Sequence, residues 1–510
     1  MSLTQPADRS RRALAWPATA ITLVALALRV FRLDAQSLWV DEVITWRASQ
    51  GSLQELLLGT GHYLSIGHSL YYAITHAFLR LGDSEIALRL PSVVFGTLSV
   101  PLIHGLGRQW LGGQVGMAAA VLLAISPLHV YYSQEARPYA ALLFFALLAL
   151  VCSARAVTGG KVWRAAFVAS YTAALLSHPV ALGFVPVVAM SMALIHRIEP
   201  RAWAGTLIAL GTVTAAILVV LLTLQLGGPS GMRSAGPFAL AYTAWTFATG
   251  FSLGPSVREL HSANRVRIAF GYSPLVLPIL AAYTGLVLNG GIRAWKDSPR
   301  MAMLLMVWVF LAVGLLLLGS RVTGQPYNVR YVILALPPFL FLVAKGIGAL
   351  PGGRTSRVVA WTLLLVVSAI SLRNYYFEPR YEREDYRSAV RRLRAEVEPG
   401  DLVLLSVPYT QDMLEYYDPG SVEVVAFPRA ETGPGHLVPT EVGWQKELDE
   451  VTAGRERFWV LLSRTFHGSV GDRLVPYLDR RMRRVRDVER AGVRLILYET
   501  HDVSRTDDGS

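Results

Sequence analysis

Charge is what this sequence has least of. Only 16% of its 510 residues are Asp, Glu, Lys or Arg and 53% are hydrophobic, with a mean hydropathy of +0.40. Soluble domains carry about a quarter charged residues, so an ordinary soluble chain is excluded and a polytopic membrane protein remains. Cysteine is nearly absent: Cys152, inside an apolar run, is alone, which excludes an intrachain disulfide and reads as a small core residue. A cleavable leader is not expected either. Arg9, Arg11 and Arg12 precede the first apolar run, but no small-residue cleavage site follows it, so the run reads as an uncleaved span. The formal charge is +12 and the pI 9.8, yet Lys and Arg are scattered through short loops and do not gather on one face. That argues for membrane orientation and against a nucleic-acid partner. No internal repeat is visible.

Apolar runs are plentiful. A span needs about 20 apolar residues, and on that rule roughly eleven are expected. They lie near Ala13 to Val30, Ile86 to Leu106, Val115 to Leu128, Ala140 to Ala156, Ala165 to Leu176, Val180 to Ile195 and Thr206 to Leu224. The rest lie near Pro274 to Leu288, Ala302 to Leu318, Val329 to Ala344 and Val358 to Leu372. His178-Pro179 breaks one pair of short spans, and Ser65 to Leu79 is too polar to cross and fits an interfacial helix. A Gly-, Ser- and Pro-rich loop from Gly227 to Pro237 precedes an aromatic stretch around Trp245 and Phe247.

Basic residues alternate between the loops. Arg108, the group Arg155, Lys161 and Arg164, then Arg197 and Arg201, then Arg293, Lys296 and Arg300, then Arg354 and Arg357 all fall on the side of the N-terminal arginines. The positive-inside rule makes that side cytoplasmic. The loops carrying Asp41, Glu135, Arg233, Arg321 and Arg330 then face outward, as does everything after Leu372.

From Asn374 the composition turns soluble. The expected division is a membrane domain over 1–373, an extracytoplasmic α/β accessory domain over 374–500 and a polar tail over 501–510. Asp385 to Glu396 carries helical charge spacing and Arg473 to Arg481 reads as a second helix. Leu402 to Leu405, Val422 to Phe427, Phe458 to Ser463 and Val493 to Tyr498 read as strands of a small α/β sandwich. This part has neither a glycine-rich phosphate loop nor metal-ligand spacing, which favours an accessory or acceptor-presenting role.

Two polar clusters interrupt the apolar pattern. One is Ser37-Leu38-Trp39-Val40-Asp41-Glu42-Val43-Ile44-Thr45-Trp46, with adjacent carboxylates just after the first span. The other is Tyr131-Tyr132-Ser133-Gln134-Glu135-Ala136-Arg137-Pro138-Tyr139. Charges near a bilayer are costly and are either solvated at headgroup level or functional. Two clusters on one expected face point to a site. Arg137 and Arg330 stand at outward span entrances, against the orientation bias, where they can bind an anion or snorkel to lipid phosphate.

These residues carry a resemblance. Leu38-Trp39-Val40-Asp41-Glu42, Leu70-Tyr71-Tyr72, Ala87-Leu88-Arg89-Leu90-Pro91-Ser92, Ser133 to Tyr139, and Arg330-Tyr331 followed by Pro337-Pro338 are similar to bacterial members of the protein O-mannosyltransferase-like family of GT-C glycosyltransferases. The likeness covers the membrane part. It implies a mainly α, GT-C-type membrane enzyme that moves a sugar from a polyprenyl-phosphate donor to a lipid, glycan or protein acceptor outside the cytoplasm, usually with inversion. On that basis Asp41, Glu42 and Glu135 are the candidate catalytic acids, with Asp41 as base for the acceptor hydroxyl. Arg137 and Arg330 would hold the donor phosphate through bidentate guanidinium contacts. Trp39, Tyr71, Tyr132 and Tyr139 would line the substrate, although aromatic-belt placement is the commoner explanation of such residues. Asp41, Glu42 and Glu135 are oxygen ligands suited to a divalent cation, without fixing one. Where many relatives carry His or an acid followed by Pro-Pro, this chain reads Gly67-His68-Ser69, and His62, His68 and His76 are irregularly spaced for a metal cluster. A lipid or polysaccharide flippase and a catalytically silent scaffold are the competing readings.

Overall fold

A computed structural model describes residues 6–58, 68–224, 239–261, 264–323, 327–407, 410–418, 420, 422–427, 443–463 and 471–500. The 227–237 loop, His62, Gly67, Arg233 and the 501–510 tail lie outside them, as does the side chain of Arg321. The chain divides into two compact units. The first comprises Met1–Leu33, Ala48–Ser256 and Arg267–Phe377; the second comprises Asp34–Arg47, Val257–Val266 and Glu378–Ser510.

Helices dominate the first unit. In chain order the elements run α1 (Pro6–Val30), α2 (Val40–Ser49, which belongs to the second unit for most of its length), α3 (Leu53–Leu58), α4 (Ser69–Leu79), α5 (Glu85–Leu111), α6 (Gly113–Ile125), α7 (Pro127–Ser133) and α8 (Tyr139–Ser177). A mixed segment of 3-10 turn, α9 (Val185–Met190) and π turn fills Pro179–His196, followed by α10 (Ala204–Leu224), α11 (Ala239–Thr249), α12 (Val257–His261, which belongs to the second unit) and α13 (Arg265–Gly271). Then come α14 (Ser273–Asp297), α15 (Pro299–Thr323), a 3-10 stretch over Val329–Ala335 running into α16 (Leu336–Gly348), and α17 (Gly353–Phe377).

Among the described residues seven helical segments are long and apolar enough to cross a membrane, and α6 with α7, bent by 59°, make an eighth. Trp16–Val30 and Ala204–Val220 are shorter apolar helices. The 39 residues of α8 would extend about 58 Å at 1.5 Å per residue, nearly twice a bilayer core of about 30 Å. Gly160, at φ 74°, breaks α8 into two helices beside Arg155, Lys161 and Arg164. Counting both halves gives eleven apolar segments, each over one of the expected runs. The protein is therefore a multi-pass membrane protein. Cys152 is buried within α8.

Close helix crossings depend on missing side chains. A Cβ on Gly290 of α14 would stand 1.9 Å from the Leu342 carbonyl oxygen of α16, and one on Gly346 would stand 2.0 Å from that of Leu286. Without a hydrophobic drive between helices in lipid, such small-residue contacts carry the packing. A large core cluster of this unit includes Leu143, Phe167, Phe184, Trp308 and Phe341.

The second unit contains a five-stranded sheet of order β2-β1-β3-β5-β4. Its elements are α18 (Tyr386–Glu396), β1 (Leu402–Leu405), α19 (Gln411–Tyr417), β2 (Glu423–Ala426), α20 (Trp444–Thr452), β3 (Arg457–Ser463), α21 (Gly471–Leu478), β4 (Met482–Arg490) and β5 (Val493–Thr500). β1 runs parallel to β2 and β3, whereas β5 pairs antiparallel with β3 and β4. The central strands read as unbroken apolar runs because they are buried on both faces. Phe427, Trp444, Leu448 and Leu474 pack on the sheet beside Phe458 and Tyr498. Asp385 caps α18, its carboxylate accepting from Ser388 N–H at 3.0 Å. The expected α/β domain is thus a mixed sheet with flanking helices, and it contains three elements that the sequence pattern did not announce: α19, α20 and β4.

Candidate active site

In the first unit the second polar cluster forms the end of α7 and the turn into α8. Ser126 caps α7, its hydroxyl accepting from His129 N–H at 3.3 Å, and sets the bend after α6. Gln134 closes the helix. Its amide donates to the carbonyls of Arg29 at 2.9 Å and Phe31 at 2.8 Å, the orphan acceptors at the end of α1. Arg29 is fully buried and reaches back: its guanidinium donates to Ala25 O at 2.8 Å, Ala124 O at 3.1 Å, Leu123 O at 3.3 Å and Ser133 Oγ at 3.2 Å. It also meets His129 Nδ1 at 2.7 Å. The turn 134–138 is consequently fixed at its start by two helix ends.

Its far side is held by serine. Ser92 Oγ donates to the Arg137 carbonyl at 3.1 Å, so Tyr71, whose hydroxyl lies 2.7 Å away, must donate to Ser92. Tyr71 is completely buried and braces the turn. Glu135 is 1% exposed. A carboxylate so enclosed is costly unless it interacts with nearby polar groups.

Around the turn stands an aromatic and imidazole wall. Ring centroids lie 5.1 Å apart for Tyr132 and Tyr139, 5.3 Å for Tyr139 and His178, and 5.6 Å for His178 and Tyr331. His68 meets His178 edge-on at 4.8 Å. The Arg330 guanidinium lies 5.1 Å from the Tyr331 ring centre and 6.0 Å from that of Tyr139, and donates to Tyr331 OH at 3.2 Å. Desolvation, then the positive charges of Arg137 and Arg330, lower the pKa of His68 to about 3. His178 Nδ1 accepts from Val180 N–H at 3.1 Å and caps the 3-10 turn, which fixes its tautomer and leaves Nε2 as the donor. Two cations, neutral imidazoles and phenols make an environment suited to an anion with hydrogen-bond acceptors. Glu135, Arg137, Arg330, Tyr132 and Tyr139 are thus gathered in one unit. Of the histidines whose irregular spacing spoke against a metal cluster, His68 meets His178, and His76 Nδ1 lies 2.9 Å from the Ser49 carbonyl.

Asp41, Glu42 and Trp39 belong to the second unit. The two acids stand in the first turn of α2 and not in a loop. Acids there complement the positive end of the helix. Glu42 is fully buried and its Oε2 accepts from Arg383 Nη1 at 2.9 Å. Arg383 was missed in the sequence, since 341 residues separate the pair. Among the described residues no group of three or more His, Cys, Asp or Glu side chains is placed to hold a metal ion.

Comparison with known proteins adds a family match over part of the chain and a fold. Residues 69–224 match the family model described as dolichyl-phosphate-mannose-protein mannosyltransferase. No curated protein sequence matches. The structure is similar to that of ArnT from Cupriavidus metallidurans in the apo state, with 13% identity, a TM-score of 0.59, and coverage of 95% of this chain and 98% of that one. ArnT bound to undecaprenyl phosphate matches with a TM-score of 0.58 and the same identity and coverage. The Archaeoglobus fulgidus oligosaccharyltransferase in the apo form matches with 11% identity and a TM-score of 0.55, over 88% of this chain and 69% of that one. The fold is that of the GT-C membrane proteins. The family model covers residues 69–224 and so reaches under half of the chain, whose remainder is similar to these proteins by fold alone.

Proposed function

We propose that this protein is a membrane glycosyltransferase that takes a sugar from a polyprenyl-phosphate donor and gives it, with inversion, to a protein, lipid or cell-envelope glycan acceptor outside the cytoplasm. The observation that carries the reading is buried Glu135 with half-buried Arg137 and Arg330 beside Tyr132, Tyr139, His68 and His178, in a fold that ArnT shares and in which ArnT has been seen with undecaprenyl phosphate.

The chemistry divides between the named side chains. Asp41 takes the proton of the acceptor hydroxyl as its oxygen bonds to C1 of the sugar. The bond from C1 to the phosphate oxygen breaks, and its electron pair leaves on the polyprenyl phosphate. Arg137 and Arg330 stabilise that developing charge, which is where fixed cations act most strongly. Glu135 supplements the acidic group, and Trp39, Tyr132 and Tyr139 stack on substrate. The basic loops at Arg108, Arg155, Lys161 and Arg164 are assigned to the cytoplasmic face by the positive-inside rule. A divalent cation, if one is used, would have oxygen ligands.

Purified protein incubated with a panel of radiolabelled polyprenyl-phosphate sugars and envelope extracts should yield labelled product. Label that crosses vesicles without covalent transfer would replace this reading with a flippase, and inertness toward every donor would leave a scaffold.

A further inference from the structure

The acidic turn of α2 is held by the domain that ends the chain. Asp34–Arg47 forms one compact unit with Glu378–Ser510, and the contacts are dense. Tyr417, at the end of α19, accepts the Leu38 N–H at 2.8 Å and stands 3.1 Å from Ser37 Oγ. Arg387 uses both its backbone and its side chain: its N–H donates to Ser37 Oγ at 3.1 Å, and Nη2 donates to Asp34 O at 2.8 Å and Gln36 O at 3.1 Å. Gln36 Oε1 accepts from Arg383 N–H at 3.3 Å. Arg47 and Glu415 pair at 2.6 Å on the surface, and Trp46 meets Tyr416 edge-on at 5.1 Å.

The buried pair is different in kind. Arg383 and Glu42 are 6% and 0% exposed. Ions removed from water in this way are held in one geometry, because any displacement strands a charge. Glu42 adjoins Asp41 in the same helical turn, so whatever fixes Glu42 fixes the direction in which Asp41 leaves the helix.

We propose that the C-terminal α/β domain is the brace of the catalytic acid, and that Arg383 and Tyr417 are positioning residues for Asp41. This rests on the assignment of Asp41 as acceptor base above. Neither residue touches substrate in this scheme. They set the approach of the carboxylate to the acceptor hydroxyl, and small errors in such an approach cost roughly 10²-fold in rate.

The test uses the full-length protein in detergent, with three variants: Tyr417→Phe, Arg383→Met, and Arg383→Met combined with Glu42→Gln. The double variant strands no buried charge and keeps the experiment interpretable should Arg383→Met fail to fold. Amide hydrogen exchange is read over residues 36–47, and sugar transfer is followed as kcat and donor KM separately. The expected result is faster exchange at the Leu38 amide in Tyr417→Phe. In the double variant kcat should fall about 10- to 10²-fold with donor KM unchanged. Exchange over 36–47 that stays at the wild-type rate in all three variants overturns the brace, whether or not transfer is detected. Wild-type kcat in a folded double variant overturns the positioning role. A wild-type protein inert toward every donor, with exchange still released in the variants, would overturn the functional reading and leave the brace standing.

Discussion

Gln134 caps the helix that carries Arg29, and Arg29 caps the helix that precedes Gln134's own. The Arg29 side chain occupies the last carbonyls of α6 at Leu123 and Ala124, and the Gln134 amide occupies the last carbonyls of α1 at Arg29 and Phe31. Tyr376 OH donates to Leu28 O and completes the seal. In a bilayer no water is available to replace these donors, so the clasp is enforced by the solvent as much as by the protein.

Gln134→Leu should therefore cost more than a surface change. It leaves buried carbonyls short of a donor, a loss of about 1–3 kcal/mol, read as a lower unfolding temperature in detergent. Arg29→Lys keeps the charge but cannot span the same acceptors and should fall between the variant and wild type. Unfolding temperatures equal to wild type in both would mean the clasp contributes nothing.

The two neighbouring acids of α2 should separate cleanly. Asp41→Asn keeps shape and removes the base, so transfer should drop by roughly 10²-fold or more with stability retained. Glu42→Gln leaves the Arg383 charge buried without its carboxylate, which costs about 3–5 kcal/mol when a buried pair is broken from one side. Its main effect belongs in the unfolding curve, and its loss of transfer should be partial. Transfer assayed across a pH series, beside calorimetry on the same preparations, distinguishes them; an Asp41→Asn protein with wild-type turnover would move the base assignment to Glu135.

Arginine fork geometry can be tested by a change that preserves charge. Arg137→Lys and Arg330→Lys should raise donor KM while leaving membrane insertion intact, because an ammonium cannot grip two phosphate oxygens in one plane. Unaltered donor kinetics in the Ala variants at both positions would remove them from the phosphate site.

Acid should loosen the imidazole wall. In the unfolded chain His68 takes a proton below about 6.5, but in the folded site, facing Arg137, Arg330 and His178, it does so only near 3. Between those values the unfolded state binds more protons, so stability must fall as pH drops through that window. His68→Gln cannot take up that proton. Its stability should decline less than wild type over the same range, measured by thermal unfolding in detergent at a series of pH values; parallel declines would show that His68 is not held neutral.

Apolar run length and the spacing of basic loops made the membrane architecture legible. Even the break in α8 was foreshadowed, since Arg155, Lys161 and Arg164 flank Gly160. The soluble strands that were found, such as β1 and β3, have apolar centres. β4 escaped because it is an edge strand with both faces in water, and its Arg-rich sequence carries no alternation. The helical start at Val40 was available, because two acids in a first turn are an N-terminal signal, but the segment read as a loop beside a span. Partnerships across hundreds of residues had no local trace. Nothing near Glu42 announces Arg383, and nothing near His68 announces His178.

The second unit is assembled from segments far apart in the sequence, Asp34–Arg47, Val257–Val266 and Glu378–Ser510. Its acidic helix leaves the ribosome hundreds of residues ahead of Arg383, Arg387 and Tyr417. During synthesis the helix at Asp41 thus exists long before its holders do. A nascent chain that stalls or is cut before residue 378 carries the acids without the contacts that hold their turn, so this unit closes only late in translation.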